Sequence, residues 1–145
     1  MPLPFTALAQ FIGERLSRYE STPAPKLATA AKIGAYGERV AAAFVRRHGY
    51  KVLTRNYKTT RGEIDLVCRH GDVLVFVEVK TRADADFVRP AEAIDARKEE
   101  ALRQAARRYL ELLEQKDINH RFDAVEIQLN AGKIPVCTLL PSFFA

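Results

Sequence analysis

Two cysteines, three histidines and no long apolar run set the first limits on this 145-residue chain. Cys68 and Cys137 each lie inside an apolar stretch and read as small buried hydrophobes. They form no disulfide framework and show no metal-ligand spacing, which suits a reducing compartment and leads us to expect a cytoplasmic protein. His48, His70 and His120 fall near turns without ligand spacing, so they read as surface residues. The first residues lack both a basic leader region and a continuous apolar stretch, so no secretory signal is expected. No segment approaches the roughly 20 apolar residues of a membrane span, and no membrane partner is expected. Repeats and low-complexity tracts are absent as well.

What is present is an ordinary soluble composition, 48% hydrophobic and 28% charged, in a length that fits one domain with a sizeable core. The net charge of +5 is unevenly placed, because residues 31–89 carry all of it. From Arg46 to Arg61 there are six basic residues and no acidic one, with Tyr50 and Tyr57 interleaved. Such a segment is either a solvated basic face or a track for phosphates.

Residues 5–20 place Phe5, Leu8, Ile12, Leu16 and Tyr19 at helical spacing, and STPAPK at 21–26 breaks the pattern. Residues 1–28 therefore read as a helical appendage and linker, and 29–145 as the domain. Residues 30–48 predict a helix with Ile33, Tyr36, Val40 and Phe44 as its apolar stripe and Gly49 just past its end. A strand over 50–56, a basic loop over 57–61 and a hairpin over 62–80 follow. A second helix is expected over 95–115, with Asp95 as N-cap and a buried stripe of Leu102, Ala105, Tyr109 and Leu112. Strands over 121–129 and 134–140, joined by a turn at 130–132, complete the order. The hairpin is antiparallel, while the crossover through the second helix permits a parallel neighbour. The expected fold class is α/β, a mixed sheet of about five strands flanked by helices.

The hairpin carries the most information. With Gly71-Asp72 as a two-residue loop, paired residue numbers sum to a constant, and His70 meets Val73. Leu66 then faces Val77, Cys68 faces Val75 and Ile64 faces Val79, which makes one side apolar. On the other side Asp65 opposes Glu78, and Glu63 opposes Lys80. Opposed like charges destabilise a sheet. At about 5 Å and an effective dielectric of ~20 they repel by roughly 3 kcal/mol. A divalent cation between the carboxylates would reverse that sign. Hard oxygen ligands on adjacent strands suit Mg²⁺ or Mn²⁺, and Lys80 on the same side would stabilise a phosphorane or orient a nucleophile. The structural alternative is a partly buried ion-pair cluster of Glu63, Asp65, Glu78 and Lys80.

Several other residues have two readings each. Glu38 lies at the edge of the first helix's apolar stripe, where it is either a third carboxylate of the site or a surface glutamate. Arg55, Asn56, Lys58, Arg61 and Arg82 flank the strand ends and are candidate phosphate contacts. Arg121 and Asp123 read as a structural pair. Spacing leaves Lys98 undecided between site and solvent.

The segments GAYGERVAAAFVRRHGYKVLTRN (34–56), RGEIDLV (61–67), VFVEVKTR (75–82) and RFDAV (121–125) resemble the YraN-like family of small, largely uncharacterised bacterial proteins. The likeness covers about residues 33–140. It implies the restriction-endonuclease-like fold of the PD-(D/E)xK superfamily, with a distant similarity to archaeal Holliday-junction resolvases. Asp65, Glu78 and Lys80 match that superfamily's motif, and Glu38 matches the helical glutamate of resolvase-like members. Ile64 stands where many members have proline, and Gln104 and Tyr109 are one residue too far apart for a Gln-x-x-x-Tyr motif. The resemblance implies a DNA endonuclease acting on structures that include branched DNA. Asp65, Glu78 and Glu38 would hold the divalent metal, and a homodimer would cut two strands. Because fold does not fix function, a nucleic-acid-binding or adaptor module with weak or no catalysis remains the alternative.

Overall fold

The computed structural model describes residues 12–14, 29–82, 96–113, 117–129 and 134–144. Its sheet comprises β1 (Ile12–Glu14), β2 (Lys51–Lys58), β3 (Glu63–His70), β4 (Val73–Arg82), β5 (His120–Gln128) and β6 (Val136–Phe144). Two helices, α1 (Ala30–Arg47) and α2 (Ala96–Leu112), pack on it. The strand order is β1-β6-β5-β4-β3-β2, parallel only between β4 and β5. This is the expected mixed α/β sheet, with one short edge strand added.

Local chemistry explains the element ends. Thr29 caps α1 by accepting the Lys32 amide hydrogen bond at 3.2 Å. Arg46 and Arg47 occupy the last turn, where the helix dipole favours cations. Gly49 then takes φ +83, a conformation that costs other residues dearly. Tyr36, Val40 and Phe44 are buried as their spacing predicts. They pack with Leu66, Cys68, Val75, Val77, Val125 and Ile127 in the core beneath α1. On the opposite face α2 contributes Leu102, Ala105 and Ala106 to a second core with Val67, Phe76 and Phe122. The helices therefore cover the two sides of one sheet.

Three expectations change. Ile12–Glu14 is a strand antiparallel to β6 rather than part of a helix over 5–20. The free edge of β6 supplies backbone partners that a lone helix would not use. The rest of 1–28, the Asp95 cap and the 130–132 turn lie outside the described residues. β2 extends through Lys58, so Tyr57 and Lys58 belong to a strand and not a loop. Leu112 is 60% exposed, because the 3.6-residue repeat carries the buried stripe through Ala106 and Tyr109 to Leu113 instead.

The hairpin end of the sheet is held by a buried polar network. Asp123 is fully buried and accepts hydrogen bonds from Tyr50 Oη at 2.7 Å, Arg121 Nε at 3.0 Å and the Ser142 amide at 2.8 Å. Arg121 also donates to Tyr50 Oη, and His70 stacks on the Tyr50 ring. Arg121 and Asp123 are thus the structural pair expected, and His70 is part of their network and half-buried. Removing one member of a buried charge pair costs about 3–5 kcal/mol, because its partners stay buried and unpaired. Asp123→Ala is expected to lose that much in urea denaturation. Tyr50→Phe, which deletes one bond to a charged group, is expected to lose roughly 1.5–3 kcal/mol.

Candidate metal centre

The β3–β4 ladder keeps the expected register from His70–Val73 to Leu66–Val77 and ends there. Beyond it the Val79 amide donates to Asp65 Oδ2 at 2.8 Å, so a side chain takes the place of the next ladder position. The break rotates β3. Ile64 packs in the core under α2, whereas Val79 packs against the core under α1. The expected Ile64–Val79 pairing on one apolar side is therefore absent, and so is Glu63 opposite Lys80. Glu63 stands in register with Lys58 of β2.

β2 kinks at the matching place. Arg55 pairs with Leu66 and Tyr57 with Ile64, and between them Asn56 adopts φ +51. Asparagine tolerates this left-handed conformation better than most residues. Its side chain lies close enough to Glu38 to lower that carboxyl's pKa. Asn56, a candidate phosphate contact, is exposed and stands beside the Glu38 carboxylate. Gly37 brings that carboxylate in, because a Cβ there would lie 1.9 Å from Thr81 Oγ1. Only glycine lets α1 sit this close to the end of β4.

Asp65 and Glu78 meet as the register implies. Glu78 is 3% exposed, and its side chain lies close enough to Asp65 to raise that carboxyl's pKa. Burial, and then the Glu78 charge, push the Asp65 carboxyl up to about 7. Glu38 is half-buried and raised by burial and by Asp65, an effect that Asn56 opposes. Three carboxylates thus lie within one another's field, although among the described residues no three acidic or imidazole groups converge as a finished cation cage.

Two lysines attend the pair. Lys98, in the first turn of α2, forms an ion pair with Glu78 Oε1. Burial alone would lower its pKa, but the Glu78 hydrogen bond and charge make the net shift upward. Lys80 lies 5.2 Å from the Phe143 ring centroid, and burial and Arg82 lower its pKa. Glu63 does not stand opposite Lys80, and Lys98 forms an ion pair with Glu78. Lys98 had a topological signal: a β4–α2–β5 crossover sets the start of α2 over the carboxyl end of β4.

The candidate phosphate contacts divide. Arg82 is paired with Glu126 of β5 at 3.2 Å. Arg55 is exposed and lies within the field of Glu38. Lys58 and Arg61 are exposed on the side facing α2, and Arg61 donates to Gln104 at 3.4 Å.

Residues 37–127 match the family described as uncharacterised protein family UPF0102. The chain belongs to that family. Among its relatives, the UPF0102 protein of Alkaliphilus oremlandii (strain OhILAs) is 42% identical over 107 residues, covering 72% of this chain and 92% of the relative. That of Syntrophomonas wolfei subsp. wolfei (strain DSM 2245B / Goettingen) is 41% identical over 112 residues, covering 77% and 97%. UPF0102 protein STH1475 of Symbiobacterium thermophilum (strain DSM 24528 / JCM 14929 / IAM 14863 / T) is 39% identical over 113 residues, covering 78% and 96%. The UPF0102 match includes Glu38, Asp65, Glu78, Lys80 and Lys98.

The donor set fits Mg²⁺ or Mn²⁺, which commonly take one or two protein carboxylates and keep several waters. Without a cation, the Asp65–Glu78 pair is stabilised by a proton, and this fixes the sign of a pH effect. The Asp65 pKa is raised from 3.8 to about 7, so its contribution to stability is fully present below pH ~4 and lost as pH rises through ~7. Asp65→Asn is expected to be more stable than the parent chain at pH 8 in EDTA, and the difference is expected to shrink toward pH 4. Thermal melts across that range check it.

Proposed function

We propose that this protein is a metal-dependent endonuclease that hydrolyses phosphodiester bonds in DNA, including branched DNA. The observation that carries the reading is the closely set Asp65–Glu78 pair on β3 and β4, with Glu78 buried and Asp65 held by the Val79 amide. A sheet built only for stability gains nothing from two opposed carboxylates.

In this reading Asp65 and Glu78 hold a divalent cation, with Glu38 as the third carboxylate. The cation, when bound, polarises a phosphoryl oxygen and lowers the pKa of a coordinated water. The chain's own residues do the rest. The Val79 amide orients Asp65, and Asn56 stands beside Glu38 at the rim of the site. Lys80, on the same strand as Glu78, places positive charge where the phosphorane accumulates negative charge. Its lowered pKa makes its proton easier to give up. Arg55 lies near enough to add charge to the entering strand.

A second reading has its own support. The Lys98 ammonium already neutralises Glu78, so the carboxylates have a counter-charge without a cation. That favours a nucleic-acid-binding or adaptor module with weak or no catalysis.

The test is cleavage of linear, nicked and branched DNA by the purified full chain in Mg²⁺ or Mn²⁺. Cleavage is expected, with Asp65→Asn and Glu78→Gln each slower by about 100-fold or more. A readout besides activity accompanies it: Mn²⁺ is expected to raise the melting temperature of the parent chain at pH 7.5 and to leave that of Asp65→Asn unmoved. If no DNA is cut with either metal, or if Asp65→Asn cuts at the parent rate, the endonuclease reading is wrong.

A further inference from the structure

We infer that the groove between the β2–β3 turn and the outer face of α2 is a phosphate-backbone site. It holds the flank of a nucleic-acid strand whose reacting phosphate lies at Asp65 and Glu78. The inference rests on the nuclease-like reading for its ligand class, and it adds a binding surface on α2 that lies apart from the carboxylates.

The groove has a volume of about 840 Å³. Lys58 and Arg61 line it from the turn side, and Gln104, Arg107, Arg108 and Glu111 from the helix side. Its four cations face one carboxylate. Glu111 is tied to Arg108 at 3.2 Å, an exposed pair that gains little from its charge. Among the described residues Lys58 and Arg107 enter no ion pair. Both are exposed. Cations gathered from two elements without matching anions repel one another, and a polyanion would offset that repulsion.

The walls are built rather than loose. Thr59 Oγ1 donates to the Gly62 carbonyl at 2.8 Å and accepts from the Gly62 and Arg61 amides, which closes the turn on itself. Gly62 seats that turn directly on α2, since a Cβ there would lie 2.4 Å from the Ala101 carbonyl oxygen. The close approach places the Arg61 guanidinium at Gln104 Oε1. Tyr57, in the groove wall, meets Tyr109 edge to face at a centroid distance of 5.2 Å. Both rings are half-buried in the seam.

The placement also fits a strand that continues from the carboxylates. Lys98 touches Glu78, and the groove residues Gln104 and Arg108 lie six and ten positions further along the same helix. At 1.5 Å per residue those steps are about 9 and 15 Å. With phosphates at ~3.4 Å per nucleotide along a B-form strand, they correspond to roughly three and four nucleotides from the reacting phosphate.

The experiment is fluorescence anisotropy of a labelled 20-nucleotide DNA, single-stranded and in duplex, in EDTA across a salt series. Each cation that contacts a phosphate contributes about 0.7–0.9 to the slope of log affinity against log salt, so losing one weakens binding roughly five- to eightfold at 0.1 M salt relative to 1 M. Arg107→Ala and Lys58→Ala are each expected to lower the slope by that amount. Glu111→Gln removes the one carboxylate among the described lining residues and frees Arg108. It is expected to tighten binding, a gain that misfolding cannot imitate. Unchanged isotherms in all three variants, with binding by the parent chain intact, would overturn the groove while leaving the endonuclease reading standing. No binding of either DNA by the parent chain would overturn both. Binding that responds to the groove variants in a protein that does not cut would support the groove and sink catalysis alone.

Discussion

One hydrogen bond sets the geometry on which the site depends: the Val79 amide is satisfied by the Asp65 carboxylate rather than by continuation of the β3–β4 ladder. A backbone donor at a buried position must find an acceptor. Supplying it from a side chain fixes the carboxylate and ends the ladder together. The consequences spread laterally. Ile64 turns to the α2 side, β2 compensates with a left-handed Asn56, and that residue in turn stands beside Glu38. Irregularity in β2 and β3 therefore surrounds one pair of acids, while the rest of the hairpin is regular.

The opposite end of the sheet uses charge differently. Asp123 is as buried as any of the described residues, yet its oxygens receive donors from Tyr50 just before β2, from β5 and from the end of β6. Its carboxylate is spent on structure. Asp65 and Glu78 instead face each other, one held by the Val79 amide and the other by Lys98, and burial together with the Glu78 charge raises the Asp65 pKa. The parallel pairing of β4 and β5 sets α2 across one face of the sheet.

Much of this was readable in the order of residues. The two-residue turn at Gly71-Asp72 and strict alternation set the register that brings Asp65 to Glu78, and the structure keeps it as far as Leu66–Val77. Helical spacing named Tyr36, Val40 and Phe44, and all three are buried. The readings that changed lie where alternation or periodicity was extended past a local break. Ile64 and Glu63 follow the kink, and Leu112 lies at the fraying end of its helix. Ile12–Glu14 responds to a strand edge more than a hundred residues away in sequence. Periodic patterns describe a segment's own backbone and carry no information about a partner's edge.

By itself, then, the sequence determined the mixed α/β class, the hairpin register and the opposition of two acids, because each depends on local spacing and on chirality. Only the tertiary structure decided which lysine answers those acids. Lys80 is two residues from Glu78 and shares its strand, yet the ion pair is made by Lys98, twenty residues on, because the crossover lays the first turn of α2 over the end of β4. It decided also that Asn56 stands beside Glu38, that Arg82 serves Glu126, and that Lys58 and Arg61 face the arginines of α2 across a groove. Pairing between side chains far apart in the chain follows from how helices seat on a sheet. Here that seating is set by close contacts at Gly37 and Gly62, whose missing side chains give the sequence no apolar signal to read.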